Sequence, residues 1–441
     1  MVIRLTRVTH AGRSLRLVAF VTLGLSFLAC AASDAPEGGT FDPTGIPGSS
    51  PGGSTPGAPY GTTPTSAPPS GPVSKAKAIT RKLGGNRADR FLVGMGNDGT
   101  DSGDDDAYKL GPTLDVHYHY LNGLSSEGGW ATWNKNPDYP TKRMREARNK
   151  GVVPMFTFYE MAAHGDGNRA PLTDSAFLTT YFKDFSQVLA DIAADGKPVI
   201  LHLEPDFWGY AGQWAKQSGG LSKVTMNISG KAPECAGKPN NVIGFANCLY
   251  DMVRGRTPNV ILAFHMSAFG TNVDPLLNTD PQFDVVGEAR KLAAQGKEMG
   301  FTRADLFVVD ALDRDAGCYE VGYTVNGEVL CRKESNRYWD DRNVKLPHFN
   351  QYFTWLKTLS TELDLPYMIW QIPFGEPSSS PGSPGKWRDN RTAYFFTHMD
   401  QIVGTGGMAA VWGTGAPGQS YLTPSFKSGV KAYFASPVAL P

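Results

Sequence analysis

Eight short apolar, β-favouring runs, separated by stretches of helical periodicity, constrain this 441-residue chain more than any other feature. The runs cover residues 91–95, 114–120, 152–159, a segment opening at Val199, then 260–266, 306–310, 367–372 and 408–412. Between them, Phe177, Leu178, Tyr181, Phe182, Phe185, Val188, Leu189 and Ile192 form a stripe at helical spacing that ends at Gly196. Further helical patterns lie near 242–253, 285–299, 349–363, 393–402 and 426–434. Strand alternating with helix implies a parallel sheet, and eight strands imply its closure into an α/β fold of the (β/α)8 barrel type. An open doubly wound sheet is the alternative. No Gly-x-Gly-x-x-Gly follows any of the runs, which argues against a nucleotide cofactor and leaves no cofactor expected.

The ends of the chain divide differently. Residues 1–30 carry Arg4, Arg7, Arg13 and Arg16, then an apolar core, then Phe27-Leu-Ala-Cys30, and read as an export signal. The ending resembles a bacterial lipoprotein signal, which implies lipidation of Cys30; ordinary cleavage near residues 29–32 and secretion is the alternative. Residues 31–75 are dominated by Pro, Gly, Ser, Thr and Ala and read as a tether, which leaves 76–441 for the barrel. Cys235 with Cys248, and Cys318 with Cys331, form two local pairs, the second bracketing an Asn326-Gly327 hairpin signal. Disulfides in both pairs would suit an oxidising compartment, and a metal site built from the four cysteines together is disfavoured because no Cys-x-x-Cys occurs.

Forty-two Lys and Arg balance forty-two Asp and Glu, so the overall charge suggests neither nucleic acid nor an anionic membrane as partner. Membrane contact is expected only through Cys30, and the chain is read as a monomer.

Function in such a barrel is expected at the C-terminal ends of the strands. The fourth run, Val199-Ile-Leu-His-Leu-Glu-Pro-Asp-Phe-Trp-Gly-Tyr210, turns acidic as it ends, and strand alternation would place His202, Glu204 and Asp206 on one face. Elsewhere the exits carry Asp115, His117 and His119, Tyr159 and Glu160, Asp310 and Asp313, Gln371 and Glu376, and Trp412. Paired carboxylates can act as acid and as nucleophile or base on a glycosidic bond. Glu204 is expected to be the acid, with Asp310 its leading partner and Asp206, Glu160 and Glu376 the others. His117, His119, His202, Trp208, Tyr210, Asp313, Gln371 and Trp412 are expected to bind sugar. Trp130, Trp133, Trp214, Trp339 and Trp387 also fall in or near predicted loops, where flat rings could stack on pyranoses, whereas Trp355 and Trp370 read as core.

The run Ile200-Leu-His-Leu-Glu-Pro-Asp206 resembles the strand-four Glu-Pro-Asp signature of family-6 cellulases, followed in the same order by Asn247-Cys248 and Pro258-Asn-Val-Ile-Leu262. In place of that family's Asp-Arg-Asp-Cys motif stands Phe158-Tyr-Glu-Met161, which would give Glu160 the part. The layout is also similar to clan-A glycosidases, with Leu203 before the strand-four Glu and Gln371 at the strand-seven position. These resemblances imply a barrel glycoside hydrolase acting on an extracellular polysaccharide, a β-glucan-like polymer being favoured. Two other functions compete. Asp115-Val-His-Tyr-His119 resembles the Asp-x-His-x-His of amidohydrolase barrels, which would make a metal site with His202, His265 and Asp310. The remaining alternative is a non-catalytic polysaccharide-binding lipoprotein.

Overall fold

The computed structural model describes residues 70–96, 109–133 and 139–441. Cys30, the export signal, nearly all of the tether and the acidic run 101–106 lie outside the described residues. The first helix, α1 (Pro72–Leu83), opens inside the last residues assigned to the tether, with proline in its first turn.

The order continues β1 (Leu92–Gly96), β2 (Val116–Asn122), α2 (Tyr139–Asn149), β3 (Val153–Tyr159), α3 (Ser175–Asp195), β4 (Ile200–Leu203), α4 (Phe207–Ser218), α5 (Val242–Arg256), β5 (Ile261–His265), α6 (Val285–Glu298) and β6 (Leu306–Asp310). Next come α7 (Ala316–Val321), β7 (Tyr323–Val325), β8 (Glu328–Cys331), α8 (Phe349–Leu363), β9 (Tyr367–Ile372), β10 (Gly382–Ser383) and β11 (Lys386–Trp387). The chain finishes with α9 (Arg391–Thr397), α10 (Met399–Gly404), β12 (Gly407–Trp412) and α11 (Pro424–Ala435). Eight parallel strands close in the order β1-β12-β9-β6-β5-β4-β3-β2, and each corresponds to one of the eight apolar runs. The fold is a (β/α)8 barrel.

Helix α3 shows why the pattern is so readable. Asp174 caps its first turn through Ala176 N and Phe177 N, the apolar stripe is buried, and Gly196 ends it at φ 67°. The pattern over 393–402 becomes two helices instead of one. The chain breaks at His398, whose ring stacks on Tyr394 at 3.8 Å while its backbone leaves helical geometry.

Both disulfides form, with Cα separations of 4.8 Å for Cys235–Cys248 and 5.8 Å for Cys318–Cys331. The second staples the β7–β8 hairpin, whose turn residues Asn326 and Gly327 take φ 50° and 85° as a tight hairpin requires. Disulfides fit an extracellular protein. Among the described residues no helix is long and apolar enough to cross a membrane.

Candidate active site

Trp370 on β9 fills the middle of the barrel. Its ring meets Tyr118 and Tyr120 at 5.7 Å, His202 at 5.0 Å and His265 at 5.8 Å, so these side chains from β2, β4 and β5 all point inward. At the upper rim the Tyr118 ring occupies the space a Cβ would need at Gly96 and Gly413, so glycine at both positions lets it lie across the barrel. Next to Trp370 a polar line crosses the interior: Thr157 Oγ1 to His202 Nδ1 at 3.2 Å, His202 Nε2 to His265 Nδ1 at 3.1 Å, and His265 Nε2 facing Asp310 Oδ1 at 3.5 Å. Burial lowers the His202 pKa well below its ordinary value, so that ring is neutral.

The line ends at the C-terminal mouth of the barrel, where the acids gather. Asp206 is partly buried and accepts a hydrogen bond from Tyr159 Oη at 2.9 Å; the same hydroxyl lies 2.5 Å from Asp166. Burial, together with the charges of Asp166 and Asp310, pushes its carboxyl up to about 7, against the opposing influence of His265 and Tyr159. Asp310 keeps a quarter of its side chain in solvent, and its backbone carbonyl is held by Tyr352 Oη at 2.9 Å. Around them stand Asp274, pushed to about 6 chiefly by burial, and Asp313, which pairs with Arg314 and accepts from Tyr319 Oη at 2.6 Å. Tyr210 and Trp214 on α4 line a recess next to Asp206 with Tyr159, Asp166 and Gly167. Gln371, in left-handed backbone at φ 55°, also reaches the mouth, where a Cβ at Gly415 would come within 2.5 Å of its amide nitrogen.

The expected single face of His202, Glu204 and Asp206 does not exist. Glu204 and Asp206 take φ 50° and 62°, which breaks the alternation as soon as β4 ends. Glu204 is fully buried and turns toward the β3 exit, where its two carboxyl oxygens accept from Glu160 N at 3.2 Å and Met161 N at 3.1 Å, with Tyr181 of α3 beside it. Burial raises its pKa to about 8. Glu160 is equally buried, accepts from Trp130 Nε1 at 2.6 Å, and is pushed well above the ordinary carboxylate range by burial and by Asp184. Both acids are therefore fully buried and bonded within the protein, whereas Asp206 stands at the mouth. Glu376 is also withdrawn: its two oxygens accept from Ser425 N at 2.7 Å and Ser425 Oγ at 2.6 Å, capping the first turn of α11.

His117 and His119 point the other way from Tyr118 and Tyr120, out of the barrel toward α2, where His119 meets Tyr139 at 6.4 Å. Burial lowers His117 to about 3 and His119 well below the ordinary imidazole value, so both are neutral packing groups. Asp115, on that same face, is bonded by Arg90 Nη1 at 2.8 Å. The sheet wall thus separates these residues from His202, His265 and Asp310, so neither the expected sugar contact nor the amidohydrolase-like metal set can form. Among the described residues no three His, Cys, Asp or Glu side chains converge as metal ligands.

The tryptophans are mostly core. Trp208 is 2% exposed, donates to Leu203 O at 2.9 Å and packs on Phe245, Phe264 and Phe301. Trp412 is fully buried, donates to Thr392 Oγ1 at 2.9 Å and stacks on Phe396 at 4.5 Å. Both rings are packed inside the protein. Trp130, Trp339 and Trp387 are buried with their N–H groups bonded to Glu160, Leu276 O and Gly418 O, and Trp214 is 6% exposed, leaving Trp133 as the open ring among those expected to stack on sugar. The expectation failed at α4 because Phe207, Trp208, Ala211, Trp214 and Ala215 make a buried apolar stripe at helical spacing.

Thr157, Asp166, Asp274 and Arg314 are absent from the expected site, and Tyr159 is expected there only as a strand exit without a role. For Thr157 and Tyr159 a signal existed: Thr157 pairs in register with His202, and Tyr159 lies two residues on, on the same face.

No protein-family model and no curated protein matches the chain. Solved structures with a similar barrel include a Cellulomonas fimi endo-β-1,4-mannanase double mutant, 13% identical with TM-score 0.47 over 83% of this chain and 75% of its own. An Ignisphaera aggregans GH53 catalytic domain is 11% identical with TM-score 0.40 over 80% and 93%. A family 1 β-glucosidase from Thermotoga maritima is 12% identical with TM-score 0.39 over 74% and 84%. These are likenesses of fold, and no residue role follows from them.

Proposed function

We propose that this protein is an exported glycoside hydrolase that cleaves O-glycosidic bonds of an extracellular polysaccharide, β-glucan-like polymers being the favoured class. The observation that carries the reading is Asp206, a carboxyl held near a pKa of about 7 at the barrel mouth beside Asp310. An acid that stays protonated close to neutrality can give its proton to the leaving glycosidic oxygen as the C–O bond breaks. Asp310, as carboxylate, then acts on the anomeric carbon, directly or by deprotonating the attacking water. Tyr159 orients the Asp206 carboxyl. Tyr210, Gln371 and Asp313 line the approach for sugar rings and hydroxyls. The acid role thus passes from Glu204 to Asp206, while Asp310 keeps the partner role. Export by the signal at residues 1–30, with lipidation of Cys30 and residues 31–71 as a spacer, would bring the barrel within reach of polymer outside the cell.

The test is reducing-end release from β-glucans, mannans, xylans and α-linked polymers by wild type, Asp206→Asn and Asp310→Asn. Release on one polymer that both substitutions abolish supports the reading. Undiminished release in either variant, or none by folded wild type on any polymer, contradicts it.

A further inference from the structure

The line from Thr157 to Asp310 carries an inference beyond the catalytic pair. Side chains from four successive strands, β3, β4, β5 and β6, line up: Thr157 Oγ1 bonds His202 Nδ1, His202 Nε2 bonds His265 Nδ1, and His265 Nε2, buried and without a hydrogen-bond partner, faces Asp310 Oδ1 at 3.5 Å. Thr157, His202 and His265 are all at most 1% exposed. In the 3.1 Å contact between the two rings one nitrogen must donate and the other accept.

That condition links the whole line. If Asp310 is a carboxylate it can only accept, so His265 presents Nε2–H to it, and with a single proton on that ring its Nδ1 is bare. His202 must then donate Nε2–H to that nitrogen, and its own bare Nδ1 accepts the Thr157 hydroxyl. Every donor points toward Asp310. The self-consistent reverse, with Nδ1–H on both rings, needs Asp310 protonated and donating.

We propose that Thr157, His202 and His265 form a polarised hydrogen-bond relay that holds Asp310 as a carboxylate aimed at the barrel mouth, His265 and His202 being positioning residues. For its place in catalysis the relay rests on the reading of Asp310 as partner of Asp206; its polarity does not. Donors directed in sequence polarise one another, which aims His265 Nε2–H at Asp310 while Trp370 packs against both imidazole rings. Apart from His265, the titratable groups around Asp310 are Asp206 after β4, Asp274 after β5 and Tyr352 on α8.

The experiment uses the full chain labelled with 15N-histidine, read by long-range 1H–15N NMR at neutral pH, with His202→Gln and His265→Gln assigning two of the eight histidines. Both rings should be the Nε2–H tautomer. In Asp310→Asn the ring signals of His202 as well as those of His265 should shift, although His202 does not touch Asp310, whereas Asp313→Asn should leave both in place. An Nδ1–H tautomer or a doubly protonated ring at either position overturns the relay, as do His202 signals that ignore the Asp310 change. Should Asp310→Asn not fold, the wild-type tautomers decide alone. An intact Nε2–H pair in a protein that hydrolyses no polymer counts against the reaction and leaves the relay standing.

Discussion

Glu204 and Asp206 stand two residues apart at the end of β4 and serve different sides of the structure. Glu204 is tied to the backbone at the β3 exit beside Tyr181, while Asp206 is bonded to Tyr159 and lies in the field of Asp310 at the mouth. The left-handed backbone at both positions, φ 50° and 62°, makes the separation. Strain of this kind, roughly 1–3 kcal/mol per residue, is retained where it aims functional groups.

Tyr159→Phe should move the alkaline limb of the activity profile to higher pH. Its hydroxyl stabilises the ionised Asp206, so losing it raises the Asp206 pKa from about 7 and the acid stays protonated further into the alkaline range. A kcat/KM profile on the susceptible polymer measures this, and a limb that moves down would contradict the assignment.

Stability should fall as pH rises from about 6.5 to 8, above the range in which the buried neutral His117, His119 and His202 act in the opposite sense. Glu204 and Asp315, raised to about 8, and Asp206, raised to about 7, each bind a proton in the folded state that the unfolded chain has already released. Folding is therefore proton-linked over that window. Each group removes about 1.4 kcal/mol of stability per pH unit between its unfolded and folded pKa, and the loss is complete above the folded value. Thermal melting between about pH 6.5 and 8 should show Tm declining; a rising Tm would show that these carboxyls are not buried as described.

Replacing Cys235 and Cys248 by Ser should lower Tm with activity per folded molecule retained. The bridge closes a loop with a sequence separation of 13, for which chain entropy gives about 3 kcal/mol. Differential scanning calorimetry of the variant reads the change.

Trp412→Ala should cost roughly 3–5 kcal/mol of stability, since it removes a fully buried ring stacked on Phe396. Trp412→Phe should retain most of that packing and bind polymer as wild type does. Affinity electrophoresis would show weakened sugar binding in the phenylalanine variant only if the ring faced substrate.

The barrel was legible because each strand is a short continuous apolar run, and α3 because capping and stripe agree. Helix α2 was not, since only Pro140, Met144 and Ala147 of its 11 residues are buried and its charged face conceals the period. At the site, Asp310 and Asp206 could be picked out as acids at strand exits. The side each exit residue takes could not, because one left-handed residue at Glu204 reverses what alternation dictates for those after it. His117 and His119 misled for a related reason: a strand buried on both faces gives no sign of which face is the lumen.

The most direct measurement sets Glu204→Gln beside Asp206→Asn, comparing kcat per folded molecule and Tm. Asp206→Asn should lose on the order of 10²–10⁴ in kcat with no fall in Tm. Glu204→Gln, placing an amide against two backbone N–H donors, should lose about 1–3 kcal/mol of stability and retain kcat within about tenfold. The opposite pattern, with kcat abolished by Glu204→Gln and preserved in Asp206→Asn, would contradict the assignment of Asp206 as the acid.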